Sequence, residues 1–261
     1  MLILGAASRI TASDEKTNYS RLCRLLISVG VQVLRDTFDG IIPPTDLQGF
    51  LKRHPAHSKL QFLRKEKILN TVHWSKLYPA VPSSVSSTGF EPALLMILLR
   101  TICNLSPPPA GWDAPPLSID TSRESDIARV KYFRNALSNR AAKASVSDEM
   151  FNNYWQKIRE TLVRLGGAGY EVVIDEMQNE NMDPLDEEHF TELLKQWKKI
   201  EDSIKGKMNE LETVMGASKE EGEPLPVEMW SIGFKLSISW QWGIRAWVPF
   251  PIEAITFFLV N

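Results

Sequence analysis

Apolar residues recur at a spacing of three to four in every long periodic segment of this chain, not at the two-residue spacing of a strand. The first such segment carries an apolar stripe formed by Tyr19, Leu22, Leu26, Val29 and Val33. Residues 90–103 are apolar on nearly all sides, which is typical of a buried central helix. We therefore predict an all-α fold, a helical bundle with no substantial sheet before residue 225.

A heptad-like repeat follows the predicted bundle. Between residues 186 and 215 the apolar positions recur at a mean spacing near 3.5, with charged residues elsewhere: Phe190, Leu193, Trp197, Ile200, Ile204, Met208, Leu211 and Met215. Such a seam is typical of a coiled coil. Two interpretations are open: the seam contacts a second copy or another coiled-coil protein, or it folds back on the bundle.

These patterns divide the chain into three parts. We predict a helical domain over residues 17–182, a long amphipathic helix over 183–215, and a polar linker with a tryptophan-rich tail over 216–261. The linker contains Gly and Pro, and we assign the tail no role. Charged residues and prolines interrupt the tail, so it lacks the run of ~20 apolar residues that a spanning helix needs. We expect no membrane segment.

Composition and charge limit the classes of function. With 43% hydrophobic and 24% charged residues, the chain has the composition of a globular protein with a sizeable core. Its net charge of -2 argues against a general nucleic-acid coat. Residues 1–150, however, hold 19 Lys/Arg against 13 Asp/Glu, and residues 151–261 hold 11 against 19. The basic first half permits phosphate binding without requiring it.

The cysteines and histidines argue against a metal site. Cys23 and Cys103 lie among leucines and isoleucines, and we expect two buried reduced thiols rather than a disulfide or a metal pair. Two cysteines and four histidines are too few for a RING domain, and Cys23 and Cys103 lie too far apart in the sequence for the cysteine pair of a zinc finger. His54 and His57, with Pro55 between them, are expected in a loop. We predict no metal and no cofactor. The start of the chain lacks a signal peptide, so we expect a cytoplasmic protein.

Several long segments resemble the HEPN domain family. They are Gly111-Trp112-Asp113 and residues 19–38, 74–79, 98–103, 126–135, 151–155 and 165–167. The subtype they resemble also occurs in a DAZ-interacting RING-finger ubiquitin ligase and in invertebrate NACHT/NLR-like immune proteins. The resemblance covers roughly residues 17–215. It implies a small helical bundle, often dimeric, of a kind in which many members are metal-independent ribonucleases.

The resemblance also implies where a site would lie. The HEPN signature is an Arg, usually a polar residue next, and a His after four to six intervening residues; here Arg134 and Asn135 match its start. The permitted histidine positions hold Asn139, Arg140 and Ala141, and the subtype's register puts the histidine at Arg140. An imidazole accepts a proton near pH 7, whereas a guanidinium stays protonated. The resemblance therefore implies no catalytic residue, with Arg134, Asn135 and Arg140 as candidates for binding RNA or phosphate.

Two further alternatives concern this site. Arg134 shares a stripe with Ile127, Val130 and Leu137, so it is either a ligand-binding residue or a buried structural residue whose charge needs a partner. A remote histidine, His73 or His189, is an alternative source of the missing imidazole.

The function we predict is a catalytically degenerate HEPN-type module. It would act in protein interaction and bind RNA, in a regulatory or innate-immune-like setting, as a homodimer or with a coiled-coil protein. The alternative is an active metal-independent endoribonuclease that uses a non-standard histidine.

Overall fold

The computed structural model describes residues 14–220, with side chains described from 14 to 205, and every regular element in that range is helical. The nine helices within the range confirm the predicted all-α fold. They are α1 (14–41), α2 (Leu47–Lys52), α3 (Ala56–Lys65), α4 (Thr71–Leu77), α5 (Pro92–Thr101), α6 (Arg123–Ser138), α7 (Asp148–Gly166), α8 (Tyr170–Asn179) and α9 (Pro184–Glu220).

Helix α1 lies at the centre of the bundle. It is α-helical over 14–24, π-helical over Leu25–Gly30 and α-helical again over Val31–Ile41. The predicted stripe is fully or nearly fully buried, and it packs against α5, α7 and the other central helices. The helix ends at Ile41 because Pro43 and Pro44 follow and cannot continue it.

Three short helices, α2, α3 and α4, follow α1 along the chain. In the sequence, Leu60, Leu63 and Ile68 are spaced as on a helix, which agrees with α3, whereas the aromatic residues and proline of segment 74–79 are typical of a turn. Residues 71–77 form helix α4 instead, because Asn70 caps it. The Asn70 Oδ1 atom accepts a hydrogen bond from the His73 backbone N–H at 2.7 Å. The His73 Nδ1 atom accepts one from the Asn70 N–H at 3.4 Å.

Helices α5, α6 and α7 complete the core. All residues of α5 from Ala93 to Leu99 are buried, as its sequence predicted. Helices α6 and α7 pack against each other. A Cβ atom at Gly166 would lie 2.7 Å from the Tyr170 ring and 2.9 Å from the Val33 side chain on α1, so a larger residue would require these side chains to shift. Gly167 follows with φ 93°, a left-handed conformation that ends the helix.

Helix α9 is continuous and lies against the bundle. Leu194 and Trp197 are buried, and Phe190, Ile200 and Ile204 are half-buried against the core. The first half of the predicted seam thus contacts the protein's own bundle. Side chains from residue 206 onwards, including the rest of the seam, and the tail over 221–261 lie outside the described part of the chain. Association of that half with a partner stays a prediction.

The described range contains no helix long and apolar enough to cross a membrane. The same range contains no group of three or more His, Cys, Asp or Glu side chains that could hold a metal ion. Cys23 and Cys103 are both buried and unpaired as thiols, as predicted. Burial raises the pKa of each thiol to about 12.

Candidate functional site

Helix α6 carries Arg134 and Asn135, and buried charges fix its first turns. The Ser122 hydroxyl caps the helix by accepting the Ser125 N–H at 3.3 Å. One turn on, the Asp126 carboxylate is 1% exposed. Arg164 of α7 donates to it twice, from Nε at 3.0 Å and from Nη2 at 2.8 Å. Arg129 of α6 donates to the same carboxylate at 2.5 Å. These charge-assisted bonds tie α6 to α7.

Arg134 lies inside the protein and points to α9. Its side chain is 1% exposed, and its Nη2 atom donates to Oε2 of Glu201. The guanidinium lies over the Trp197 ring, 5.2 Å from the ring centre. The Trp197 Nε1–H group donates to the other carboxylate oxygen of Glu201 at 3.2 Å. Arg134, Trp197 and Glu201 therefore form one buried cluster between α6 and α9.

Further charges extend this cluster towards α5. The Lys131 ammonium is 4.0 Å from Glu201 Oε2 and also pairs with Asp113. Arg100, near the end of α5, contacts Asp113 at 3.4 Å. Asp113 belongs to the Gly111-Trp112-Asp113 segment, where Gly111 takes φ 80°. The loop thus places a carboxylate between two cations from two different helices.

Burial and charge shift the pKa values in the cluster without neutralising it at pH 7. Burial lowers the pKa of the Arg134 guanidinium to about 10. Burial, followed by repulsion from Arg100, lowers the pKa of the Lys131 ammonium to about 8. Burial alone would raise the pKa of the Asp113 carboxyl, but Arg100 and Lys131 hold it below its usual value. Near neutral pH Lys131 and Arg134 therefore stay charged and Asp113 stays ionised.

The other two signature residues make no side-chain hydrogen bond or ion pair with this cluster among the described residues. Asn135 is half-buried and one position further round α6. Arg140 is half-buried in the turn after the helix end, where its N–H donates to the Leu137 carbonyl at 2.9 Å. Within the described residues, no side-chain hydrogen bond or ion pair joins Arg134, Asn135 and Arg140 to one another.

The chain's four histidines all lie in the described range, and none contacts Arg134 there. His73 is buried and its Nε2 atom contacts Glu91 at 2.8 Å. His57 contacts the Tyr78 hydroxyl at 2.9 Å, and His54 is exposed. His189 is exposed and lies twelve residues before Glu201 on α9, a distance of ~18 Å along the helix at 1.5 Å per residue.

Glu91 itself is held ionised by its neighbours. Burial would raise the pKa of this carboxyl, but hydrogen bonds from His73 and Lys76 lower it to about 2. The His73 imidazole is thus committed to a carboxylate and to the cap of α4.

The sequence indicated Arg134 but not its partners. Its position on an apolar stripe required a neutralising group, and the structure supplies Glu201, 67 residues away. Trp197 was assigned only to the seam, and Asp113 only to the resembling segment. The signal that could have found Glu201 is its place beside Ile200, on the helix face that meets the bundle.

Comparisons with known proteins agree with this architecture. The sequence profile of the DZIP3/hRUL138-like HEPN domains matches residues 44–190. The mouse E3 ubiquitin-protein ligase DZIP3 is 29% identical over 153 residues, which cover 57% of this chain and 12% of that protein. The human E3 ubiquitin-protein ligase DZIP3 is 29% identical over 150 residues, with the same shares. This chain thus spans about an eighth of the curated relatives that it matches. No solved structure matches.

Proposed function

This chain belongs to the DZIP3/hRUL138-like HEPN family, and we propose that it acts as a catalytically degenerate HEPN module, a binding domain rather than a ribonuclease. The observation that carries this proposal is the burial of Arg134 against Glu201 and Trp197, with none of the histidines beside it. The guanidinium that would hold a phosphate in a ribonuclease is engaged here by a carboxylate of the same chain.

The chemistry of RNA cleavage supports the same proposal. Attack by the RNA's own 2′-hydroxyl needs a group that accepts a proton near pH 7, which is the usual role of an imidazole. Arg140 occupies the position of that imidazole in the family's register and cannot accept a proton. Without a general base, the site loses a factor of roughly a hundred to ten thousand in rate.

A binding role for the signature residues is part of the proposal. Nε and Nη1 of Arg134 are buried without a hydrogen-bond partner among the described residues. Arg140 is half-exposed on the turn that follows α6. The Arg140 guanidinium, with Asn135, supports weak, salt-sensitive binding of RNA phosphate, whereas Arg134 is 1% exposed and stays paired with Glu201.

Protein interaction is the other part of the proposed role. The seam of α9 continues beyond Ile204 with apolar residues at the same spacing, which supports a homodimer or a coiled-coil protein partner. The unpaired thiols of Cys23 and Cys103 support a reducing, cytoplasmic location. The resemblance to the subtype of immune-receptor-like proteins supports a regulatory or innate-immune-like setting. The ligase activity in the relatives' names is not proposed for this chain.

Incubation of the purified protein with end-labelled RNA in a chelator tests the proposal. We expect no cleavage. The variant Arg140→His restores the signature, and Lys143→His is its matched control, because Lys143 is exposed three positions further along the same turn. Cleavage by Arg140→His, but not by the unmodified protein or by Lys143→His, would support a site that lacks only its histidine and still binds RNA.

Two other outcomes have defined meanings. Robust cleavage by the unmodified protein, lost on Arg134→Ala, would overturn the proposal and favour an active enzyme that uses His73 or His189. No RNA binding and no cleavage, even by Arg140→His, would leave Arg134 a structural residue and the module a protein-interaction scaffold.

A further inference from the structure

A cavity of about 370 Å³ opens where α2 and α3 meet the end of α5. Phe50, Pro55 and Ile102 supply its apolar surface, and Arg53, His54 and Lys59 supply its polar surface. The residues that line it include no carboxylate. Its volume lies within the range of small-molecule sites. The cavity thus combines apolar side chains, one of them aromatic, with cations, and none of the HEPN signature residues lines it.

The cavity lies within the most basic segment of the described chain. Residues 47–70 hold six Lys/Arg and one acidic residue, Glu66, a net charge of +5. Residues 1–150 as a whole have a net charge of only +6, so most of their excess positive charge lies in this segment. Five of the six cations are exposed: Lys52, Arg53, Arg64, Lys65 and Lys67. A dense cationic surface of this kind attracts polyanions.

Carbonyl groups and an aromatic ring contact three cations of this segment, of which Arg53 and Lys59 line the cavity. The Arg53 Nε–H group donates to the Gly49 carbonyl at 3.2 Å. Lys59 Nζ donates to the Thr101 carbonyl at the end of α5, 3.1 Å away. Arg64 lies over the Trp74 ring, 4.4 Å from its centre. The carbonyl beside Arg53 and the ring beneath Arg64 orient these two cations without cancelling their charge.

We propose that this cavity, hereafter the α2–α3 pocket, binds single-stranded nucleic acid, with a base against Phe50 and phosphates on Arg53 and Lys59. A nucleotide offers both features that the pocket matches, a flat ring and an anionic group at a fixed distance from it. Successive phosphates would then follow the exposed cations along α3. The inference does not depend on whether the Arg134 signature is degenerate.

An acidic protein segment fits these observations less well. Its carboxylates could meet the cations, but it would leave the apolar wall formed by Phe50, Pro55 and Ile102 without a matching surface. Stacking on an aromatic ring is a general feature of sequence-tolerant single-strand binding. The pocket's one aromatic wall and one cationic side therefore favour a nucleotide.

Fluorescence anisotropy of a labelled strand of about twelve nucleotides, titrated with the full chain at several salt concentrations, tests the proposal. Arg53→Gln removes an exposed charge, so we expect several-fold weaker binding and a smaller salt dependence, by a slope of roughly 0.7. Phe50→Leu keeps apolar bulk but removes the ring. It should weaken binding by roughly 5-fold or more with the salt slope unchanged. Circular dichroism verifies that each variant is folded.

The control is Arg123→Gln, because Arg123 is an exposed arginine in the first turn of α6. Equal losses for Arg53→Gln and Arg123→Gln would mean diffuse electrostatic attraction and would overturn the proposal. So would competition by poly-glutamate as strong as that of unlabelled strand at equal charge, which would indicate an acidic protein ligand. Absence of binding at low salt would overturn it as well.

Two more comparisons complete the experiment. The affinities for an RNA strand and a DNA strand of the same sequence are measured in parallel. Tighter binding of the RNA strand would identify RNA as the natural ligand, and equal affinities would show that the pocket binds a single strand of either kind. Loss of binding in Arg140→Ala but not in Arg53→Gln would move the site to the signature and refute the α2–α3 pocket.

Discussion

The Arg134–Glu201 pair gives the most direct test of the described architecture. Replacing Glu201 with Ala leaves a guanidinium that is 1% exposed without its carboxylate. Burial lowers the pKa of Arg134 only to about 10, so the residue cannot escape the penalty by losing its proton at pH 7. Breaking a buried ion pair from one side costs about 3–5 kcal/mol.

The neighbours of the Arg134–Glu201 pair determine where in this range the loss of stability in Glu201→Ala falls. Loss of the Trp197 Nε1–H bond to Glu201 adds about 1 kcal/mol. Asp202 and Asp113 also act on Arg134 and favour its charged form, so part of the lost attraction remains. We therefore expect Glu201→Ala to lower the free energy of unfolding by about 3 kcal/mol. The urea midpoint should fall by about 1–3 M.

Urea unfolding followed by both tryptophan fluorescence and circular dichroism measures this change. Glu188→Ala is the control, since Glu188 is exposed on the same helix, and its effect should stay within about 0.5 kcal/mol. Replacing both partners, Arg134→Met with Glu201→Leu, should recover most of the loss because no unpaired charge remains. An effect of Glu201→Ala no larger than that of Glu188→Ala would refute the buried pair, as would a double variant less stable than either single variant.

Three other expectations concern single features. Glu91 has a pKa of about 2, below its ordinary 4.5. Its contribution to stability is therefore complete above pH 4.5 and declines as the pH falls towards 2. In Glu91→Gln, the free energy of unfolding measured against pH should change less over this range. Cys23 and Cys103, with pKa values near 12, should react with a thiol reagent only as fast as the protein opens, and rapid labelling of the folded protein would contradict their burial. Asp at both Ile200 and Ile204 should lower the thermal midpoint, because both side chains pack against the core; an unchanged midpoint and unchanged sedimentation would show that the seam is not a contact surface.

The long helices could be predicted from the sequence because each one carries a full apolar stripe. The regularity of α1, α5, α6, α7 and α9 comes from local spacing, which the sequence displays directly. Helices α2 and α4 have only 6 and 7 residues, too few to establish a period. Helix α4 depends on a capping box in which His73 replaces the usual Glu or Gln. Helix α8 follows a glycine turn and was not predicted.

At the candidate site, the sequence predicts the burial of a residue but not the identity of its distant partner. That Arg134 is buried and needs a partner follows from its neighbours on α6. That the partner is Glu201 depends on how α9 crosses α6, and such a long-range contact leaves no periodic trace in the sequence. The same limit applies to the α2–α3 pocket, whose basic residues are visible in the sequence. Its third wall comes from residues that follow α5, about fifty positions later.

Helix α1 has a consequence for how the chain could be divided. The family profile begins at residue 44, yet α1, over 14–41, supplies central core residues such as Leu22 and Phe38. The exposed junction after Pro44 is short, so a cut there would separate the central helix from the framework around it. We expect the fragment without α1 to expose the apolar groove that α1 fills, and to aggregate when it is alone. When residues 14–43 are added as a separate peptide, this fragment should regain the helical circular dichroism signal of the intact chain. The two pieces would then complement each other, with α1 inserted between the other helices.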